Sequence, residues 1–205
     1  MGGNSRGVLI SIEGLDAVGK RTQASLLASW FSSRGHTVQI VSFPDYSTPL
    51  GIEIKRFLNG DVDYPPEVRH ILFAANRWEK KQELESILSR TDLVIVNRYS
   101  ESNLAYGVAN GLKLEWLINL EDGLPKPDAT VVLDAPVVRL LSRRARAKDE
   151  YERNADLQER TRSAYLKLAR DFGWKVVDAT RGIEATSRLL IGTITESLRA
   201  AGRTI

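Results

Sequence analysis

Five short runs of apolar, largely β-branched residues recur along the 205-residue chain, and the stretches between them carry helical periodicity. The runs are "GVLISIEG" (7–14), "HTVQIVSFP" (36–44), "DLVIVNRY" (92–99), "ATVVLDAP" (129–136) and "WKVVDAT" (174–180). Continuous apolar runs of this length predict strands buried on both faces. The segments 20–33, 66–90, 137–147, 153–171 and 183–200 predict helices, and a further helix follows the third run. Strand–helix alternation of this kind folds as an α/β unit with a parallel sheet, right-handed crossovers and helices on both faces. Ligands of such sheets sit at the carboxyl ends of the strands. That rule gathers Asp16, Phe43, Pro44, Asp45, Asn97, Arg98 and Tyr99 around one crevice.

The first run leads into "EGLDAVGKRT" (13–22). Gly14, Gly19 and Lys20 match G-x-x-x-x-G-K-[ST], a strand–loop–helix pattern in which successive backbone N–H groups cradle phosphate oxygens and the lysine adds a mobile charge. The position that ordinarily carries a metal-binding Ser or Thr holds Arg21, with Thr22 next. Gly14, Leu15, Asp16, Ala17, Val18, Gly19, Lys20, Arg21 and Thr22 are therefore the candidate triphosphate-binding loop.

Composition narrows the class. A 42% hydrophobic and 27% charged chain is ordinary for a globular domain, and no apolar run approaches the ~18 residues of a membrane span. The start "MGGNSRG" lacks the apolar centre of a secretory signal, and the absence of cysteine excludes disulfides and thiolate chemistry. The expectation is a single cytoplasmic domain over 1–205. Net charge is +3, too mild to argue for nucleic acid, but "RLLSRRARAK" (139–148) concentrates basic residues that suit phosphate groups.

Three further stretches carry chemistry. In "ILFAANRWEKK" (71–81), Phe73 and Arg77 lie four apart and share a helix face, a ring beside a guanidinium. In "VNRYSESNLAYG" (96–107), Arg98 directly follows a buried strand, and Ser102, Asn103 and Tyr106 fall on the next helix. An asparagine both donates and accepts, which suits a base edge. Arg143, Arg144, Arg146 and Lys148, followed by "DEYERN" (149–154), have the density of a clamp closing on phosphates.

In this order the stretches resemble the thymidylate kinase family, within the nucleoside monophosphate kinases of the P-loop group. The resemblance extends through "FPDYSTPLG", "GLPKPD" and "YERNADLQER" to nearly the whole chain. It implies a P-loop NTPase-type three-layer fold, with a five-stranded parallel sheet and a short basic lid near 142–152. It also implies transfer of the ATP γ-phosphoryl group to dTMP with Mg²⁺ as Mg-ATP, and a homodimer packed through helices. Lys20 matches the residue on ATP phosphates, Asp16 the loop acid near the acceptor's sugar and phosphate, and Arg98 the arginine gripping the dTMP phosphate. Phe43 and Pro44 match the acceptor-site turn, Phe73 the residue stacked on thymine, and Arg77 the arginine near base and phosphate. Asn103 and Tyr106, beside Ser102, match positions near the base and the 2′ side of the sugar. A ring at Tyr106 would crowd a 2′-hydroxyl and favour deoxyribose modestly.

Some members carry a basic residue just after the loop acid, where this chain has Ala17. The lid arginines then take the catalytic role, with Arg143 or Arg146 the candidates. The family's usual Asp before Arg-Tyr is Asn97 here. Together with Arg21 it makes the metal region more positive, so the expectation is that Mg²⁺ arrives on ATP, completed by water and by Asp16 or Glu13. Competing readings are a kinase for another pyrimidine nucleotide or deoxynucleoside, a nucleotide-binding regulator without phosphoryl transfer, and a nucleic-acid binder acting through 139–148.

Overall fold

The computed structural model describes residues 6–143 and 154–203. Five strands form one sheet: β1 (Val8–Glu13), β2 (Val38–Ser42), β3 (Leu93–Asn97), β4 (Ala129–Asp134) and β5 (Lys175–Asp178). The order is β2-β3-β1-β4-β5 and every pairing is parallel, with Ile10 opposite Ile95 on one side and Ala129 on the other. The described residues also form nine helices: α1 (Lys20–Ser32), α2 (Pro49–Asn59), α3 (Pro66–Glu79), α4 (Lys81–Arg90), α5 (Ser100–Ala109), α6 (Leu114–Glu121), α7 (Val137–Arg143), α8 (Ala155–Phe172) and α9 (Ile183–Ala200). Among the described residues no helix is long and apolar enough to cross a membrane.

Alternation along the central strands sorts the core into two layers. Ile10, Ile12, Ile95, Val131 and Leu133 pack with Leu27 of α1 and Leu190 and Ile194 of α9 on one face. Leu9, Val94 and Val96 turn to the other face and meet Leu84, Ile87 and Leu88 of α4. Beyond them, α2, α5, α6 and α8 share an apolar cluster around Phe57, Leu117 and Tyr165. The central strands are buried on both faces as the runs predict. The outer strands β2 and β5 are not: Ile40 is 40% exposed and Val176 45%, because an edge strand is only partly covered.

Three helical details depart from the sequence reading. The predicted 66–90 helix is two helices meeting at Lys80 (φ −97°, ψ 1°), whose ammonium pairs with Asp45 at 3.2 Å and with Glu83. No Gly or Pro marks that break; tertiary ion pairing takes up the bent residue. Helices α2 and α6 were not expected. For α2 the signals are local: Thr48 caps the Gly51 N–H at 3.0 Å, Pro49 opens the helix, and Gly60 closes it in the left-handed region. The lid expectation, with Arg144, Arg146, Lys148 and the side chain of Arg143, lies outside the described residues.

Candidate active site

The loop between β1 and α1 folds tightly because its glycines permit it. Gly14 has φ +129°, and a Cβ there would sit 2.3 Å from the Leu133 carbonyl oxygen of β4. The Leu15 and Val18 side chains point down into the core, so the loop presents backbone rather than side chain. Lys20, only 7% exposed, curls back to donate to the carbonyls of Gly14 (2.9 Å) and Leu15 (2.8 Å). Helix α1 has no acidic residue in its first turn and no side-chain cap, which leaves its leading N–H groups available to an anion.

Across the cleft, β3 is followed directly by Arg98, a non-glycine residue at φ +64°, and its guanidinium is aimed back at the loop. It donates to Asp16 Oδ1 at 2.6 Å and Ser102 Oγ at 3.3 Å, and lies 5.4 Å from the Tyr106 ring centre. Burial works against the Arg98 charge, but Asp16 and the nearby tyrosine hydroxyls outweigh it and hold its pKa well above the ordinary guanidinium value. Lys20 Nζ stands 4.0 Å from the same Asp16 oxygen, so one carboxylate sits between the two cations.

A cleft of about 680 Å³ opens between this charge cluster and α3. Its walls bring together Asp16, Ala17, Gly19, Lys20, Arg21 and Thr22 at one end with Phe43, Pro44, Phe73 and Arg77 at the other. Arg98, Ser102, Asn103 and Tyr106 line the side between them. Asp45, expected in the crevice, is not part of the lining: Ser47 and Lys80 hold its carboxylate and pull its pKa down, and its backbone is clamped by the buried Asn76.

Glu13 is also displaced from its expected place. It is fully buried and absent from the cleft lining, and its oxygens accept from Ser11 Oγ (2.8 Å), Tyr99 N (2.7 Å), Ser102 Oγ (2.5 Å) and Tyr165 OH (3.0 Å). Its carboxylate holds the floor of the site together instead of facing a metal. A second carboxyl, Glu101 of α5, shares Ser11 with it at 3.2 Å. Burial first, and the Glu13 charge second, push the Glu101 pKa up to about 7. Ser11 has one hydroxyl hydrogen, and the shorter contact takes it to Glu13. Glu101 also accepts from Ser100 Oγ at 3.3 Å and from Thr130 Oγ1 at 3.2 Å.

At the far wall Arg77, 4% exposed, is gripped by Glu121 of α6 through Nε (2.8 Å) and Nη2. Asn103 Nδ2 donates to the same Glu121 at 2.7 Å, and its Oδ1 meets His70 Nδ1 at 2.6 Å. Sequence reasoning did not find Glu121, His70, Glu101 or Tyr165. His70 had a signal, since it sits three residues before Phe73 on the same helix face. Glu121 is 44 residues from Arg77 and had none. At the loop's end of the cleft, Arg21 is exposed, and Asn97 Oδ1 is buried without a hydrogen-bond partner among the described residues.

A family model for thymidylate kinase matches residues 12–190, from the end of β1 into α9. The chain belongs to the thymidylate kinase family. It is 39% identical over 199 residues to a probable thymidylate kinase of Thermococcus kodakarensis, covering 91% of this chain and 97% of the relative. To the human thymidylate kinase it is 35% identical over 183 residues, covering 88% and 86%. The solved structure of the Candida albicans thymidylate kinase superposes with a TM-score of 0.78 at 32% identity, covering 94% of both chains.

Proposed function

We propose that this protein transfers the γ-phosphoryl group of ATP to dTMP, giving ADP and dTDP. The observation that carries this reading is the shared cleft. A glycine loop with Lys20 closes one end, Phe73 and Arg77 form the other, and Arg98 stands between them where two sets of phosphates would meet. The loop amides and Lys20 bind the ATP phosphates. Arg98, poised on Asp16, takes the acceptor phosphate, and Phe73 stacks on the pyrimidine. Tyr106 OH lies 3.4 Å from Asp16 Oδ2, and in this reading its ring would face the sugar of the acceptor. Alignment of the two phosphates is most of the catalysis in such a transfer, because the loose transition state asks for positioning and charge.

Mg²⁺ belongs to this reading and fits the oxygens present. Asn97 Oδ1 is the orphaned buried acceptor at the cleft, and Asp16 is a carboxylate on the same lining. In this reading the ion would be held chiefly by ATP and water, since magnesium keeps several waters in most sites. Bound there, it supplies neutralisation of phosphate charge. Arg21 at the same end adds a fixed positive charge. The lid arginines, Arg143 or Arg146, remain the proposed cations on the transferring group. A homodimer is the proposed assembly, supported by exposed apolar side chains on α2 and α3 (Ile52, Val68, Ile71), and the cysteine-free sequence suits the cytoplasm.

The test is turnover by purified protein with γ-phosphate-labelled ATP, Mg²⁺ and a panel of dTMP, dUMP, UMP, dCMP and thymidine. Labelled dTDP as the preferred product supports the reading. Preference for another acceptor, or binding of ATP and dTMP without any dTDP, overturns it.

A further inference from the structure

The chain Arg77–Glu121–Asn103–His70 leaves little freedom in how its members face the cleft, and the hydrogen bonds can be assigned one by one. Glu121 Oε2 accepts from Arg77 Nε at 2.8 Å, and Oε1 accepts from both Arg77 Nη2 and Asn103 Nδ2, the latter at 2.7 Å. The second Asn103 Nδ2 hydrogen goes to the His70 carbonyl at 3.2 Å. Both amide donors of Asn103 are therefore used inside the protein. Its Oδ1 is the acceptor toward His70 Nδ1 at 2.6 Å, which requires the hydrogen to sit on Nδ1. His70 Nε2 then accepts from Asn110 Nδ2 at 3.1 Å. Burial keeps the ring neutral, so one nitrogen carries a hydrogen and the other accepts: His70 is 0% exposed, and its pKa is pushed down to about 4 by burial, with Arg77 adding to the shift.

We infer that Glu121 is the positioning residue of the base pocket: its carboxylate aims the Arg77 fork and locks the Asn103 amide so that only acceptor capacity is left for a ligand. Asn103 lines the cleft and has one Oδ1 lone pair to spare. Arg77 also lines it, and its Nη1 has no hydrogen-bond partner among the described residues. Because Glu121 balances its charge, Arg77 presents a donor to a neutral oxygen without an uncompensated cation in the pocket. The pocket thus offers an acceptor beside a donor. A 4-oxo pyrimidine answers with a ring N3–H and an O4 acceptor. A 4-amino pyrimidine offers a bare N3 and an N4 donor, so it would leave both Asn103 Oδ1 and Arg77 Nη1 facing groups of their own kind. Unpaired buried polar groups of this sort are the strongest source of discrimination between similar ligands. Glu121 touches neither ligand; it acts by removing the alternative amide orientation that would present Nδ2 instead.

The inference rests on the dTMP kinase reading, and two measurements separate the two. The first uses the wild-type chain without turnover. With two histidines in the sequence, ¹⁵N NMR can assign the ring nitrogens of His70. The expected result is a neutral ring with hydrogen on Nδ1 at pH 7; hydrogen on Nε2 would mean the Asn103 amide is reversed and would overturn the inference whatever the enzyme phosphorylates. The second compares wild type, Glu121→Gln and Glu121→Asp for calorimetric binding and steady-state kinetics with dTMP and dCMP. Glu121→Gln should raise KM for dTMP at least tenfold with a much smaller change in kcat. It should narrow the dTMP-over-dCMP ratio at least tenfold and leave KM for ATP unchanged, and Glu121→Asp should recover part of the ratio. A folded Glu121→Gln protein with the wild-type ratio overturns the positioning role. A wild-type protein that binds dTMP over dCMP yet makes no dTDP overturns the kinase reading and leaves the pocket assignment standing.

Discussion

Replacing Glu101 by Gln should stabilise the protein in alkaline solution and do little in acid. The folded-state carboxyl titrates at about 7 instead of its ordinary 4.5, because it is buried beside Glu13. At roughly 1.4 kcal/mol per pH unit, ionising it in the fold costs about 3 kcal/mol more than ionising it in the unfolded chain. The sign follows from a raised folded-state value: the stability associated with the protonated group is fully present below about pH 4.5, declines as pH rises, and is gone above about pH 7. A carboxamide cannot ionise, and its oxygen can still accept from Thr130 Oγ1 as Glu101 does. The variant should therefore come within about 1 kcal/mol of wild type near pH 5 and exceed it by about 3 kcal/mol at pH 8.5, roughly 6–12 °C in melting temperature for a chain of this size. Paired thermal melts of the two proteins across pH 5–8.5 read the effect as a difference that grows with pH, carried by Glu101 and its interaction with Glu13. A difference between them that stays constant over that range would refute the raised titration of Glu101.

Two other changes test the acceptor end of the cleft. In Gly51→Ala the new Cβ would lie 1.8 Å from the Asp45 carbonyl oxygen, so the turn after Phe43 and Pro44 must move. We expect a loss of about 1–3 kcal/mol in stability by denaturant melt, with a raised KM for dTMP. Phe73→Ala removes the ring proposed to stack on the base and should raise KM for dTMP by roughly 5- to 150-fold at unchanged KM for ATP, following about 1–3 kcal/mol per stacked base.

Much of the scaffold is legible because it is local. The strand, glycine loop and helix around Lys20 are contiguous, and Phe73 and Arg77 share a face by helical spacing alone. Arg98 enters the cleft because it directly follows a strand. The misses have equally specific causes. Helix α2 carried its capping signals in Thr48, Pro49 and Gly60, and short length hid it. The break at Lys80 had no local mark, because its partners include Asp45, 35 residues back in the chain. Glu13, adjacent to the loop in sequence, looked like a metal contact, but strand alternation sends its side chain to the opposite face from Ile12, into the hydroxyl cluster of Tyr165 and Ser102.

The sequence alone determined that a parallel sheet would end in a phosphate-holding loop with cations at the neighbouring strand ends, since backbone pattern and strand polarity are written within short windows. Only the tertiary structure decided the electrostatic surroundings of the site: that Asp16 faces Arg98, that Glu121 balances Arg77, and that burial beside Glu13 raises the Glu101 pKa. Burial and charge pairing join residues from 44 to 90 positions apart, and such proximity has no signature in a single chain read from end to end.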